Sequence, residues 1–226
     1  MSELAFRRAR TEENKRQRAT ALVEAARAQA IESGVASVTL TAVASRAGVH
    51  HSAVRRYFTS HKEVLLHLTA EGWQRWSRGM CEELAKPGPR TAQRVAATLT
   101  DGLAADPLFC DLLANQHLHL EHEVDIEKVV GIKRSILVAA VALAEAVERV
   151  LPILGGRGAI DVVIAAYSMA AAFWQIANPP KRLVEASANE PAILPPEWKI
   201  EFMSALRRLL TATCLGLVEQ SESREQ

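Results

Sequence analysis

The stretch from Thr39 to Leu66, TLTAVASRAGVHHSAVRRYFTSHKEVLL, constrains the chain more than any other. It spells two short helices around a tight turn, then the capped start of a third. Thr39 has a hydroxyl free to accept a backbone N–H, which suits an N-cap. Leu40, Val43, Ala44 and Ala47 then mark one helical face. Gly48 stops this helix, because glycine takes the left-handed conformation that a C-terminal turn needs. A second helix is expected from His50 or His51, or from Ser52 if the weaker cap His50 fails. Val54, Tyr57 and Phe58 fall on its inner side, and Ser52, Arg55 and Arg56 on its outer side. Ser60 and Glu63 form Ser-x-x-Glu, a capping box ahead of Val64, Leu65 and Leu66.

An apolar inner face and a doubly basic outer face fit a helix-turn-helix, whose second helix enters the DNA major groove. The residues Ala47-Gly48-Val49, Tyr57-Phe58 and Ser60 to Glu63 also resemble the DNA-binding domain of the TetR family of bacterial regulators, over residues 16 to 68. The family usually has Ser where His50 stands, Tyr where Arg55 stands, and a large apolar residue near Ala30. The resemblance implies an all-α protein in two parts. Residues 1–66 would form the helix-turn-helix domain with a basic N-terminal arm, and residues 67–226 a helical effector-binding and dimerisation domain. On this reading Thr39, Thr41, His50, His51, Ser52, Arg55, Arg56, Tyr57 and Lys62 face DNA.

Charge distribution agrees. Residues 1–62 hold 11 Lys and Arg against 5 Asp and Glu, whereas the whole chain holds 27 against 26. A basic front end on an acidic remainder is the footprint of a nucleic-acid-binding domain joined to something else. The hydrophobic share of 49% is enough for a real core, and no stretch alternates convincingly as a strand would. Arg7, Arg8, Arg10 and Lys15 read as a flexible basic arm. Three widely spaced cysteines offer no disulfide framework and fit a reducing cytoplasm. The N-terminus lacks an apolar h-region, so no secretory signal is expected. Val162 to Pro180 carries no charge, but Tyr167, Ser168, Gln175, Asn178 and many alanines point to a buried helix rather than a membrane span.

Periodicity places the other helices at Lys15 to Ser33, from Ser60 to Ala85, Thr91 to Ala104, a short one from Asp106-Pro107, Asp125 to Leu151, Arg157 to Asn178, and Pro196 to about Gln220. Pro179 to Pro195 reads as a proline-laden loop, and the tail after Ser221 as frayed. The aromatic and thioether residues Trp73, Trp76, Met80, Phe109, Tyr167, Phe173 and Trp174 are candidates for an effector pocket. Gln116, His117 and Gln175 are the polar candidates beside them. Ordinary core packing is the alternative for each. TetR-like bodies enclose such a pocket, which implies a small apolar or aromatic effector. In the same family the last helices make the dimer. Here that implies the small residues Ala166, Met169 and Ala170 against the stripe Leu206, Leu210 and Leu217. The run His117 to His122, with Glu121, Glu123 and Asp125, holds metal-ligand residue types but lacks the second histidine of HExxH. A metal enzyme and a non-specific architectural DNA-binder are the rival readings. No GxSxG, P-loop or strand-borne GxGxxG occurs, so no catalytic set, cofactor or metal is expected.

Overall fold

The computed structural model describes residues 3–122, 124–190 and 199–225. It is all-α, with no strand among the described residues. The helices are α1 (Glu3–Ser33), α2 (Leu40–Arg46), α3 (His51–Val54), α4 (His61–Ala85), α5 (Ala92–Ala104), α6 (Pro107–Asn115), α7 (Ile126–Val150), α8 (Gly155–Ala177), α9 (Lys181–Asn189) and α10 (Phe202–Glu225). The first three and the start of α4 make a small head, and the rest make the body.

The head is held by local polar devices. Gly34, at φ 83°, ends α1. The Thr39 hydroxyl accepts the Ala42 N–H at 3.1 Å and starts α2. Gly48, at φ 66°, turns the chain, and Val49 N–H returns to Ala44 O at 3.0 Å. His50 does cap α3: its Nδ1 accepts the Ser52 N–H at 3.4 Å. Ser60 Oγ accepts the Glu63 N–H at 3.2 Å, and the Glu63 carboxylate reaches back to Thr59 N–H at 2.8 Å. This is a capping box whose return bond lands one residue before the N-cap. Below these devices Leu22, Ala26, Ala30, Val38, Val43, Val54 and Phe58 form the buried head core.

The body is held by apolar packing between helices far apart in sequence. α4 packs along α7, α10 along α5 and α8, and α8 against α6 and α7. Leu99, Leu103, Leu112, Leu143, Leu206 and Leu210 are fully buried there, each burial stabilising by about 1.5–3 kcal/mol. Two glycines let α4 approach its neighbours: a side chain on Gly72 would strike Phe109, and one on Gly102 of α5 would strike Met80 and Trp76. Pro152–Ala177 is apolar and long enough to cross a membrane. Within it Ala159, Val162, Val163, Ala166 and Ala170 of α8 pack inside the body.

Several expectations need correction. α1 begins at Glu3, not near Lys15, so the basic arm is helical; nothing between Glu3 and Gly34 breaks a helix. The Pro179–Pro195 segment contains α9, because Lys181 to Asn189 carries no breaker and Pro180 stands where proline can lead into a helix. The last helix starts at Phe202, where Glu201 accepts the N–H groups of Met203 and Ser204 at 3.1 and 2.7 Å. It continues through Glu225, past the expected fraying point. Pro196, where it was expected to start, lies outside the described residues. As expected, one helix, α4, runs across residue 66.

Candidate DNA-binding face and effector cavity

Thr39, Thr41, His50, His51, Ser52, Arg55 and Arg56 are all exposed, while Tyr57 and Lys62 are half-buried. α3 itself is a single turn. Arg55 is its C-cap residue and Arg56 sits in the following turn, so the two arginines leave the helix end rather than its middle. The turn is needed to bury Phe58, whose N–H bonds Val54 O at 3.0 Å. Tyr57 packs against the core, so only its edge is available to a ligand. Arg56 borders a cleft against α1 that Lys15 and Arg16 also line.

Polar contacts tie the head to the body, and one more joins α4 to α6 inside the body. Arg27 of α1 pairs with Glu71 of α4. Val35 N–H donates to Asp111 of α6 at 2.8 Å. Lys128, in the first turn of α7, holds the Glu63 carboxylate at 2.7 Å. Arg75 of α4 reaches Asp106, the N-cap of α6, at 2.8 Å. Burial pushes the Glu63 pKa up, but the bonds from Lys128 and Thr59 outweigh it, so the carboxyl lies below its ordinary range.

The body contains a cavity of about 410 Å³ between α4, α7 and α8, within the size range of small-molecule sites. Of the residues expected there, Trp73, Gln116, His117 and Tyr167 line it. Trp76, Met80 and Phe109 do not: they fill the seams opened by Gly72 and Gly102. Phe173 and Trp174 are half-buried away from it, and Trp174 stacks edge-on against Phe202 at 5.6 Å. Gln175 is engaged elsewhere, donating to Ala114 O at 3.1 Å. The aliphatic wall, which the aromatic criterion missed, comes from Ile136, Leu137, Ala140, Val141 and Ala144 of α7 with Ile160, Val163 and Ile164 of α8. Its signal in the sequence is that α7 is apolar on two faces: Ile132, Ile136 and Leu143 are buried, yet Leu137, Val138 and Val141 remain exposed.

Gln116 lies in a π-helical turn, Gln116–Leu120, that continues α6. Gln116 and Leu120 are buried. His117 and Lys133 both contact Glu121, at 3.3 and 2.9 Å. Among the described residues no three His, Cys, Asp or Glu side chains gather as metal ligands. The His119 side chain and Glu123 lie outside them.

Most residues expected at the dimer interface are interior. Ala166, Ala170, Leu206 and Leu210 are fully buried inside one subunit, where α10 packs on α5 and α8, and Met169 and Leu217 are half-buried beside them. A surface stripe of i, i+4 leucines and a core stripe are identical in sequence. The large apolar residues that α8 and α10 leave exposed are Ile160, Ile164, Ile176, Met203, Leu209 and Leu215.

The family profile described as bacterial regulatory proteins, tetR family, matches residues 22–68. The profile described as tetracyclin repressor-like, C-terminal domain, matches residues 70–221. No curated protein matches the chain. Among solved structures, the fatty acid degradation regulator FadR from Bacillus halodurans is similar at 14% identity over 88% of this chain and 95% of that one, with a TM-score of 0.52. This is a likeness of fold. A structure described as a TetR-family transcriptional regulator from Mesorhizobium loti is similar at 15% identity over 90% of this chain and 96% of that one, with a TM-score of 0.49. The two profiles together span residues 22–68 and 70–221, and the chain belongs to the TetR family of bacterial regulatory proteins.

Proposed function

We propose that this DNA-binding regulator is a ligand-responsive repressor that occupies a two-fold-symmetric operator as a homodimer. The observation that carries the reading is the position of the cavity relative to the head–body ties. One stretch of chain, from α6 to α7, bears Asp111 on Val35 and Lys128 on Glu63. Between and just beyond those ties it bears Gln116, His117 and Lys133 at the cavity. A ligand that repositions this stretch acts on both ties at once. Asp111 steadies the chain leading into α2, and Glu63 caps α4 while bonding Thr59, directly after the arginine turn. The ligand moves the equilibrium only by its difference in affinity for the two shapes, about 1–3 kcal/mol in typical couplings.

Arg55 serves the base edges, and Arg56, beside Lys15 and Arg16, serves the phosphates. The exposed residues Ile176 of α8 and Leu209 and Leu215 of α10 supply the contact between subunits, because single scattered apolar residues are ordinary but two adjoining helices of them ask for cover. Two subunits present two recognition turns at one helical turn of DNA, about 34–36 Å, or a multiple. The cytoplasm is the compartment this function requires. The test is the DNA that the purified protein enriches from a random-sequence pool. A two-fold-symmetric site supports the reading. Equal recovery of all sequences returns the architectural alternative.

A further inference from the structure

The cavity has a chemically defined end. Among the described residues, the indole N–H of Trp73 and the amide oxygen of Gln116 have no hydrogen-bond partner, although both residues are almost wholly buried and both line the cavity. Buried polar groups are ordinarily paired, and an orphan donor and an orphan acceptor on residues lining one cavity mark a place for a group that is both. The orientation of the Gln116 amide is fixed by its neighbour. Its Nε2 donates to Glu121 Oε1 at 3.0 Å, and the flipped amide would set oxygen against a carboxylate. Burial pushes the Glu121 pKa up, but its bonds to Gln116 and Lys133 prevail and hold it below the ordinary range, so it is an acceptor only.

The charges around this end are already matched. Lys133 holds Glu121 Oε2 at 2.9 Å, and His117 Nδ1 lies 3.3 Å from Oε1. An anionic ligand head would face the Gln116 oxygen, which can only accept, and leave it unpaired. A cationic head would leave the Trp73 N–H unpaired. Past the polar end, the walls from Ile136, Ala140, Val141, Val163 and Ile164 accept only hydrocarbon.

Resting on the reading of this cavity as the effector site, we propose that the effector is an uncharged amphiphile. Its single terminal hydroxyl or primary amide accepts from Trp73 Nε1 and donates to Gln116 Oε1, and its apolar body lies along α7 and α8.

A matched series separates this from other head chemistries: octanamide, octanol, octanoate, octylammonium and octane, titrated by calorimetry into the full-length protein. Octanamide and octanol are expected to bind about tenfold or more tighter than the other three, the ratio set by leaving a buried polar group unpaired. Gln116→Leu is expected to bring octanamide to the level of octane, and Trp73→Phe supplies the same comparison should the first variant fail to fold. Five equal affinities, or octanoate or octylammonium as the tightest, overturn the head chemistry and leave the cavity as an effector site. No binding by any member, in protein that still holds its DNA, overturns the cavity reading and the ligand class with it.

Discussion

The head and the body are stabilised in different ways. In the head the decisive contacts join residues two to five apart: Thr39 to Ala42, Val49 to Ala44, His50 to Ser52, Ser60 to Glu63. In the body they join helices tens of residues apart, such as α5 with α10 and α4 with α7. The first kind can be read from spacing alone. The second cannot, because many helix faces fit one another and only the closed fold selects the pairs.

The largest effect should come from the place where that difference matters most. Leu210 is fully buried under α5 and α8, whereas Leu215, five residues on, is exposed. Leu210→Glu buries an unpaired carboxylate and removes packing, and we expect it to destabilise the subunit by about 3–5 kcal/mol in chemical denaturation. Leu215→Glu should leave the melting curve nearly unchanged and yield monomers in analytical ultracentrifugation. A Leu215→Glu protein that still sediments as a dimer places the contact elsewhere on the body.

In the head the corresponding change is to surface charge. Arg55→Ala and Arg56→Ala should each weaken operator binding by about 1–3 kcal/mol with the fold intact. Salt titration divides their roles. Loss of a phosphate contact lowers the salt slope by about one, which we expect for Arg56, while loss of a base contact relaxes sequence preference, which we expect for Arg55. If both variants bind like the parent, the outer face of the head is not the DNA face.

Gly48 tests whether the head is really fixed by local geometry. Its φ of 66° disfavours any side chain, yet a Cβ there would meet no neighbour. The cost of Gly48→Val is therefore conformational alone, about 1–2 kcal/mol per strained residue, and is confined to the turn. Operator binding should fall while the dimer and its body melt as before.

The same contrast explains what the sequence revealed. The caps, the glycine turn, the exposed arginines and nearly every helix of the body were legible, since they depend on periodicity and on neighbours in the chain. Trp73, Gln116, His117 and Tyr167, expected at an effector pocket, line one cavity. Trp76, Met80 and Phe109 do not, because Gly72 and Gly102 open seams for them that no local pattern announces. Leu206 and Leu210 looked like an interface for a similar reason: an apolar stripe does not say which surface covers it. The aliphatic wall of α7 was missed because attention to aromatic side chains passes over Leu137 and Val141.

The smallest expected effect lies at the joint between the two regions. Lys128 of α7 holds Glu63, which is buried and also bonds Thr59. Lys128 is itself substantially exposed, with 41% of its side-chain surface open, so solvent screens the pair and we expect Lys128→Met to cost only about 1 kcal/mol. The pH dependence carries more information than the size. The Glu63 pKa is depressed in the folded protein, so the pair's contribution is fully present above the unfolded carboxylate value of about 4.3. It is lost as pH falls through the lower folded value. In Lys128→Met, burial still raises the Glu63 pKa but one opposing bond is gone, so the folded value is less depressed and Glu63 should lose less stability on acidification than in the parent. Below both values Glu63 is protonated in either protein, and its ionic contribution to the difference should vanish. Denaturation curves between neutral pH and about 3 measure this. A difference that stays constant through that range would mean that Lys128 acts through packing of its stem and not through the charge of Glu63, and the joint would then be apolar like the body rather than polar like the head.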